Sequence, residues 1–140
     1  MNPKLMLDEI DEAAFFRHRA QVQAEILNYL PDGVLVADDA GRILMVNETL
    51  CLFTGYEEEE LRFKDLSVLL PEKYRRDHTE WVRHFSSHPE TPPRHMGEAV
   101  TPFPLLKKDG STAPVDIAIR RMTSHVGRLS VAVIRWVLPE

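Results

Sequence analysis

"DGVLVADDAGRILMVN", residues 32 to 47, decides how the chain is read. Apolar residues occupy both ends of the stretch and a polar, glycine-containing centre separates them. This is the pattern of two short strands, 33 to 38 and 42 to 46, joined by a tight turn. Gly41 is placed to supply the positive φ that closing a short hairpin loop often demands. Asn47 stands where it caps a short helix over 48 to 54, and Gly55 where it ends that helix in the left-handed conformation. "EEEEL", residues 57 to 61, begins another short helix, its carboxylates suited to the positive end of the helix dipole.

Toward the N-terminus, residues 5 to 30 hold no glycine or proline. They carry two apolar series, Phe16, Ala20, Leu27, Leu30 and Phe15, Val22, Ile26, Tyr29. The spacing predicts one long helix with two buried sides, one docked on the domain and the other on a second copy of the chain. Phe15, Phe16, Val22 and Ile26 are the expected dimer contacts. The division is a flanking helix over 1–30 and a folded domain over 31–138.

Toward the C-terminus, Pro71 sits where a first-turn proline belongs, and Pro89 forbids helix beyond it. Between them "KYRRDHTEWVRHF", residues 73 to 85, places Tyr74, His78, Trp81, Val82 and Phe85 on one helical face. "HPETPPR" reads as a loop. Three strands follow, over 97 to 107, 112 to 122 and 127 to 137. The first two are joined by "KKDGS", whose Asp-Gly pair favours a hairpin turn. Val115, Ile117 and Ile119 alternate with Asp116, Ala118 and Arg120, the period of a strand with one wet face. The last strand is apolar on both faces and is expected at the centre. Pro102 and Pro104 cannot donate ladder hydrogen bonds, so their strand belongs at an edge. Strands and helices in this order make an α+β domain, a five-stranded antiparallel sheet with helices over one face.

The chain has 140 residues, of which 44% are apolar and 28% charged, enough for one domain with its own core. A formal charge of −5 excludes nucleic acid as the expected partner, because duplex binding needs a basic face. No apolar run is long enough to span a bilayer, and the N-terminus lacks the basic start and small-residue cleavage site of a signal peptide. A membrane partner is therefore not expected, and the location expected is cytoplasmic. Cys51, the lone cysteine, rules out an intramolecular disulfide and fits a reducing compartment.

The stretches "LPDGVLVADDAGRILMVNETLCLFTGY", "EEEELRFKDLSVLLPEKYRRDH", "RHMGEAV" and "LLKKDGSTAPVDIAIRRM" followed by "LSVAVIRWV" together resemble the PAS sensor domains. The likeness covers about residues 25 to 137. It implies the PAS fold with strand order 2-1-5-4-3, and an input or interaction module of bacterial signalling that is not an enzyme. With the two-sided helix of residues 5 to 30 and no recognisable kinase, cyclase or DNA-binding segment, the expectation is a homodimer that signals to an effector domain or a partner signalling protein. Many relatives have glycine where this chain has Phe63, so that segment is expected to pack differently.

The resemblance also places a ligand pocket between the inner sheet face and the helix of residues 73 to 85. Its expected walls are His78, Trp81, Val82, Phe85, Met96, Val100, Ile117, Val131 and Val133. "YRRDHTEWVRHF" is similar to haem-binding oxygen sensors of the family, whose iron-binding histidine falls on His78. Neutral imidazole is a good iron ligand, and an apolar face excludes water from a porphyrin. Where those sensors carry a distal Arg or Met, however, this chain has Glu98, Ala99 and Val100, with Arg94 and Met96 before the glycine. Two alternatives stand. In one, His78 donates a ring proton to a carbonyl or carboxylate beside an empty or small-ligand pocket with no tightly bound cofactor; in the other, it is the axial ligand of haem.

Other chemistries find less support in the residues. Flavin photochemistry in light-sensing relatives needs a cysteine in the region corresponding to "LRFKDLSVLLP", which has none, and Cys51 reads as a small apolar filler. His84 and His88, with His95 beyond them, project from the wet helix face, a poor setting for zinc or nickel. Ser67, Ser111 and Ser130 lack a glycine-framed elbow, no Gly-rich phosphate loop occurs, and Asp77 and His78 point to different helix faces.

Overall fold

The computed structural model describes residues 10–75 and 102–137, together with the backbone of 94–96. The chain begins with two helices, α1 (Glu12–Arg17) and α2 (Arg19–Tyr29), then forms the hairpin β1 (Gly33–Asp38) and β2 (Ile43–Val46). Helix α3 (Glu48–Thr54), helix α4 (Glu58–Leu61) and a 3-10 turn (Leu66–Leu69) follow. A further helix starts at residue 72. The remaining strands are β3 (Arg94–Met96), β4 (Phe103–Leu106), β5 (Thr112–Ser124) and β6 (Gly127–Trp136).

The sheet is antiparallel in the order β2-β1-β6-β5-β3, with β4 also paired to β5. β3 and β4 lie end to end along the same edge of β5, Met96 opposite Ile117 and Phe103 opposite Val115. They are two pieces of one edge position, so the sheet has five positions in the order 2-1-5-4-3 expected from the family. Pro104 lies on that edge, where its missing N–H breaks no second ladder. The last strand, β6, is central between β1 and β5.

Local chemistry explains the elements. In the β1–β2 turn the Asp38 carboxylate accepts from the Ala40 and Arg42 N–H groups, and Gly41 adopts φ 84°. Asn47 caps α3 by accepting from Leu50 N, and Gly55 ends it at φ 84° in the left-handed region. At α4 the Glu57 and Glu60 side chains form a reciprocal capping box. Each of these elements lies where its turn and cap residues place it.

The N-terminal segment differs from the single long helix expected. It breaks at His18, whose φ of −113° leaves the helical region, and neither α1 nor α2 buries a residue. With no side that is enclosed by the domain, no packing holds the two pieces in one continuous rod.

The inner face of the sheet and the short helices share one core. Ile43, Leu50, Leu61, Leu105 and Val115 are its most enclosed side chains, and Leu35, Leu69, Leu70, Phe103, Ile117, Ile119 and Ile134 are among the others that build it. Gly33 is required by close approach: a Cβ there would stand 2.9 Å from Leu50 Cδ1 and 3.2 Å from Leu50 Cβ. The absence of a side chain at 33 lets α3 lie directly on β1.

Phe63 takes a φ of 67°, in the left-handed region that bulky residues avoid. Its N–H donates to Ile43 O at 2.6 Å, and Ile43 N donates to Lys64 O at 2.8 Å, so the turn is stitched to β2. The ring is 62% exposed, with the Arg42 guanidinium 5.6 Å from its centroid. The fold demands a glycine-like backbone here. Phe63→Gly relieves about 1–2 kcal/mol of strain. It also loses a cation–π contact of about 0.5–1 kcal/mol and frees the unfolded chain by a similar amount. The expected net change is below about 1 kcal/mol, whereas Phe63→Val, β-branched in the same conformation, should destabilise by about 1 kcal/mol or more. Thermal unfolding of the two variants checks this, and equal losses would remove the strain argument.

Candidate functional site

Ile117 and Ile119 of β5 oppose Ile134 and Ala132 of β6, and Leu35 of β1 opposes Ala132 from the other side. Opposed residues of an antiparallel pair share a face. These side chains therefore form one apolar floor on the inner side of the sheet. At its edge Tyr74, in the first turn of the helix that starts at 72, tilts against Phe103 of β4 with 5.2 Å between ring centroids. Arg75 Nε donates to Leu70 O at 3.1 Å. The helix thus begins at the edge of the floor, fixed there by an aromatic pair and a charge-assisted hydrogen bond.

Of the expected pocket walls, Ile117 lies on this floor and is buried. Val131 and Val133 do not lie with it. Val133 opposes Ala118 and Val34, and Val131 opposes Arg120 and Val36, which puts both valines on the outer face, where Val133 is 36% exposed. The physical reason is the strict period of two in a strand. In "SVAVIRW" both parities are apolar, so composition does not say which is inside. Register does: the tight turn that pairs Ser124 with Gly127 fixes Ile134 opposite Ile117, and the inner residues are Ala132, Ile134 and Trp136. Trp136 stacks on Phe53 of α3, centroids 4.0 Å apart. His78, Trp81, Val82, Phe85 and Val100 fall outside the described residues, as do His84, His88, Glu98 and Ala99 and the side chains of Arg94, His95 and Met96.

A concavity lies beside the start of α3. It is an open cleft of roughly 310 Å3 walled by Asn28, Val46, Asn47, Glu48, Cys51 and the carboxylates Glu57, Glu58 and Glu59. The half-buried Cys51 thiol is pushed up from its ordinary pKa first by burial and then by Glu58, Glu57, Glu59 and Glu48. Thiolate is the nucleophilic form, so the upward shift lowers the reactivity of this cysteine. Alkylation by iodoacetamide at pH 8 is expected to run several-fold slower in the folded protein than in urea, and Glu58→Gln should speed the folded reaction. A folded rate equal to the unfolded one would contradict it. Among the described residues no group of His, Cys, Asp and Glu is placed to hold a metal ion. Among them, too, no helix is long and apolar enough to cross a membrane.

The expected dimer contacts on α1 and α2 are largely open. Phe16 and Ile26 are exposed, Phe15 packs edge-on against Phe16, and Val22 is half-buried.

Comparison with known proteins places this arrangement. The PAS domain of an HTR-like protein from Haloarcula marismortui superposes with a TM-score of 0.71 at 19% identity, over 90% of this chain and 98% of that one. A PAS domain from a two-component sensor histidine kinase gives 0.67 at 16% identity, over 86% and 98%. In sequence, the chain is 24% identical over 111 residues to a probable serine/threonine-protein kinase of Dictyostelium discoideum, covering 79% of this chain but 7% of that protein. The chain therefore matches a small part of that relative. A family model described as PAS fold matches residues 19–136, which with the sheet order and the helix-covered inner face makes this chain a member of the PAS family.

Proposed function

We propose that the chain is a non-catalytic sensory and interaction module, in which the state of a pocket over the inner sheet face is passed to an effector domain or a partner signalling protein. The contact of Tyr74 with Phe103 is the observation that supports it most: it fixes the start of the helix that opens at residue 72 against the edge of the inner sheet face, and in this reading His78 follows on that helix. In this reading His78, Trp81, Val82, Phe85, Met96 and Val100 close the pocket above Ile117. No cofactor is held tightly. An occupant acts only through its different affinity for two packings of the sheet, and α1–α2 carries the difference outward. The PAS domain of a two-component sensor histidine kinase, with the same fold, gives this reading its context.

Two copies associate through Phe15, Phe16, Val22 and Ile26, and the exposed apolar surface of Phe16 and Ile26 supports that pairing. Removing the residues before 25 should leave a folded monomer in light scattering; an unchanged dimer mass would refute the helix's role.

The pocket itself is tested on the protein as purified, by native mass spectrometry and an absorption spectrum. A bound mass that Ile117→Trp removes is the expected result. A bare chain mass would leave an interaction domain without a ligand. A sharp Soret band, lost in His78→Ala, would replace the reading by a haem sensor.

A further inference from the structure

Helix α2 has 11 residues and buries none of them. An isolated helix of that length is marginal in water, and the half-buried Val22 and Leu27 give it little packing, so something more must help to hold it. The structure shows what does. Three hydrogen bonds join its last turn and the residue after it to the three residues that open α3. Asn47 Nδ2 donates to Leu27 O at 2.7 Å, Glu48 N donates to Asn28 Oδ1 at 2.9 Å, and Thr49 Oγ1 donates to Leu30 O at 2.6 Å. On the other side Asn47 belongs to the sheet: its Oδ1 accepts from Val34 N at 2.8 Å, and its backbone N–H donates to Val34 O at 3.0 Å. One buried side chain therefore touches the flanking helix and β1 at once.

We propose that residues 47–49 form a polar latch that docks α2, and that Asn47 is the positioning residue through which a change in β1 reaches the helix. The inference rests on the reading of α1–α2 as the transmitting element. A polar attachment suits such a role. Each hydrogen bond to the helix can be exchanged for one to water, so the helix can come away without exposing a core. Asn28 and Glu48 also border two open clefts, of roughly 310 and 240 Å3, so water has access to the bonds to be exchanged.

The test is amide hydrogen exchange on the full chain, with no ligand required, so that it stands apart from the test of the pocket. Asn28→Ala combined with Thr49→Val removes two latch bonds and leaves Asn47 untouched. The amides of α2 are expected to exchange at least tenfold faster, with those of Ile117 and Ile134 unchanged. Val34, whose N–H neither substitution touches, should exchange a few-fold faster, because coupling between two elements is reciprocal. Asn47→Asp, which keeps the acceptor for Val34 and Leu50 but loses the donor to Leu27, should likewise release α2. Unchanged exchange in α2 would overturn the latch. Faster α2 with an unmoved Val34 would overturn the coupling, and uniform acceleration across the sheet would reduce the bonds to ordinary structure.

Discussion

Replacing Asn47 with alanine should destabilise the domain by about 3–4 kcal/mol, a large part of the roughly 5–15 kcal/mol that holds a domain folded. The residue is 1% exposed, and its amide makes four hydrogen bonds. The oxygen accepts from Val34 N and Leu50 N; the nitrogen donates to Leu27 O and Asp32 O at 2.7 and 3.1 Å. Both donors and both lone pairs are used. Loss of the helix cap alone is worth about 1 kcal/mol, and stranding the buried Val34 N–H adds about 1–3 kcal/mol. The two carbonyls face partly toward water and add less. Asn47→Asp keeps both accepted bonds and places a negative charge at the start of α3, but turns a carboxylate on two carbonyl oxygens. It should fall between alanine and the native residue. Urea unfolding measures both, and a loss below about 1 kcal/mol for alanine would show that the network is not cooperative.

Leu50→Ala should cost a comparable amount, about 2–5 kcal/mol, because a fully buried leucine leaves a void that the sheet cannot close. The more telling measurement is its coupling to position 33. Gly33→Ala alone sets a Cβ 2.9 Å from Leu50 Cδ1, and is expected to cost about 1–3 kcal/mol through overpacking. Shortening Leu50 removes the nearest of the colliding atoms but leaves its Cβ and Cα, 3.2 and 3.4 Å away. The double variant should therefore lose at least about 0.5 kcal/mol less than the two single losses added together. Strict additivity would mean that α3 shifts bodily away from β1 instead of meeting it at this point.

The sequence made the frame of the domain legible wherever one residue type has a single conformational use. Gly41, Asn47, Gly55 and the Asp-Gly pair at 109–110 punctuate the chain, and the caps and turns stand where they were expected. Pro104 marked the edge for the same reason. Legibility failed where the determinant is long-range. The side to which Val131 and Val133 point depends on pairing with β5 and β1, and a strand that is apolar on both faces does not encode it locally. The spacing of residues 5 to 30 predicts one helix where the structure breaks at His18, because periodicity measures what could be buried. It does not measure whether a neighbour exists to bury it. The contact of Tyr74 with Phe103 was also missed. It joins two segments that the chain separates widely, although the aromatic stripe from 74 to 85 had marked one partner.

The strand at the middle of the sheet comes last in chain order among the described strands. Gly33 lies opposite Ile134, so the N-terminal hairpin emerges roughly a hundred residues before the strand that completes it. At about 5–20 residues per second it stays unpaired on that side for about 5–20 s, long compared with the microseconds in which the β5–β6 hairpin closes. Nascent chains are thus exposed to edge-to-edge aggregation through β1 until β6 has emerged, which makes slow codons between β2 and β6 a hazard for yield.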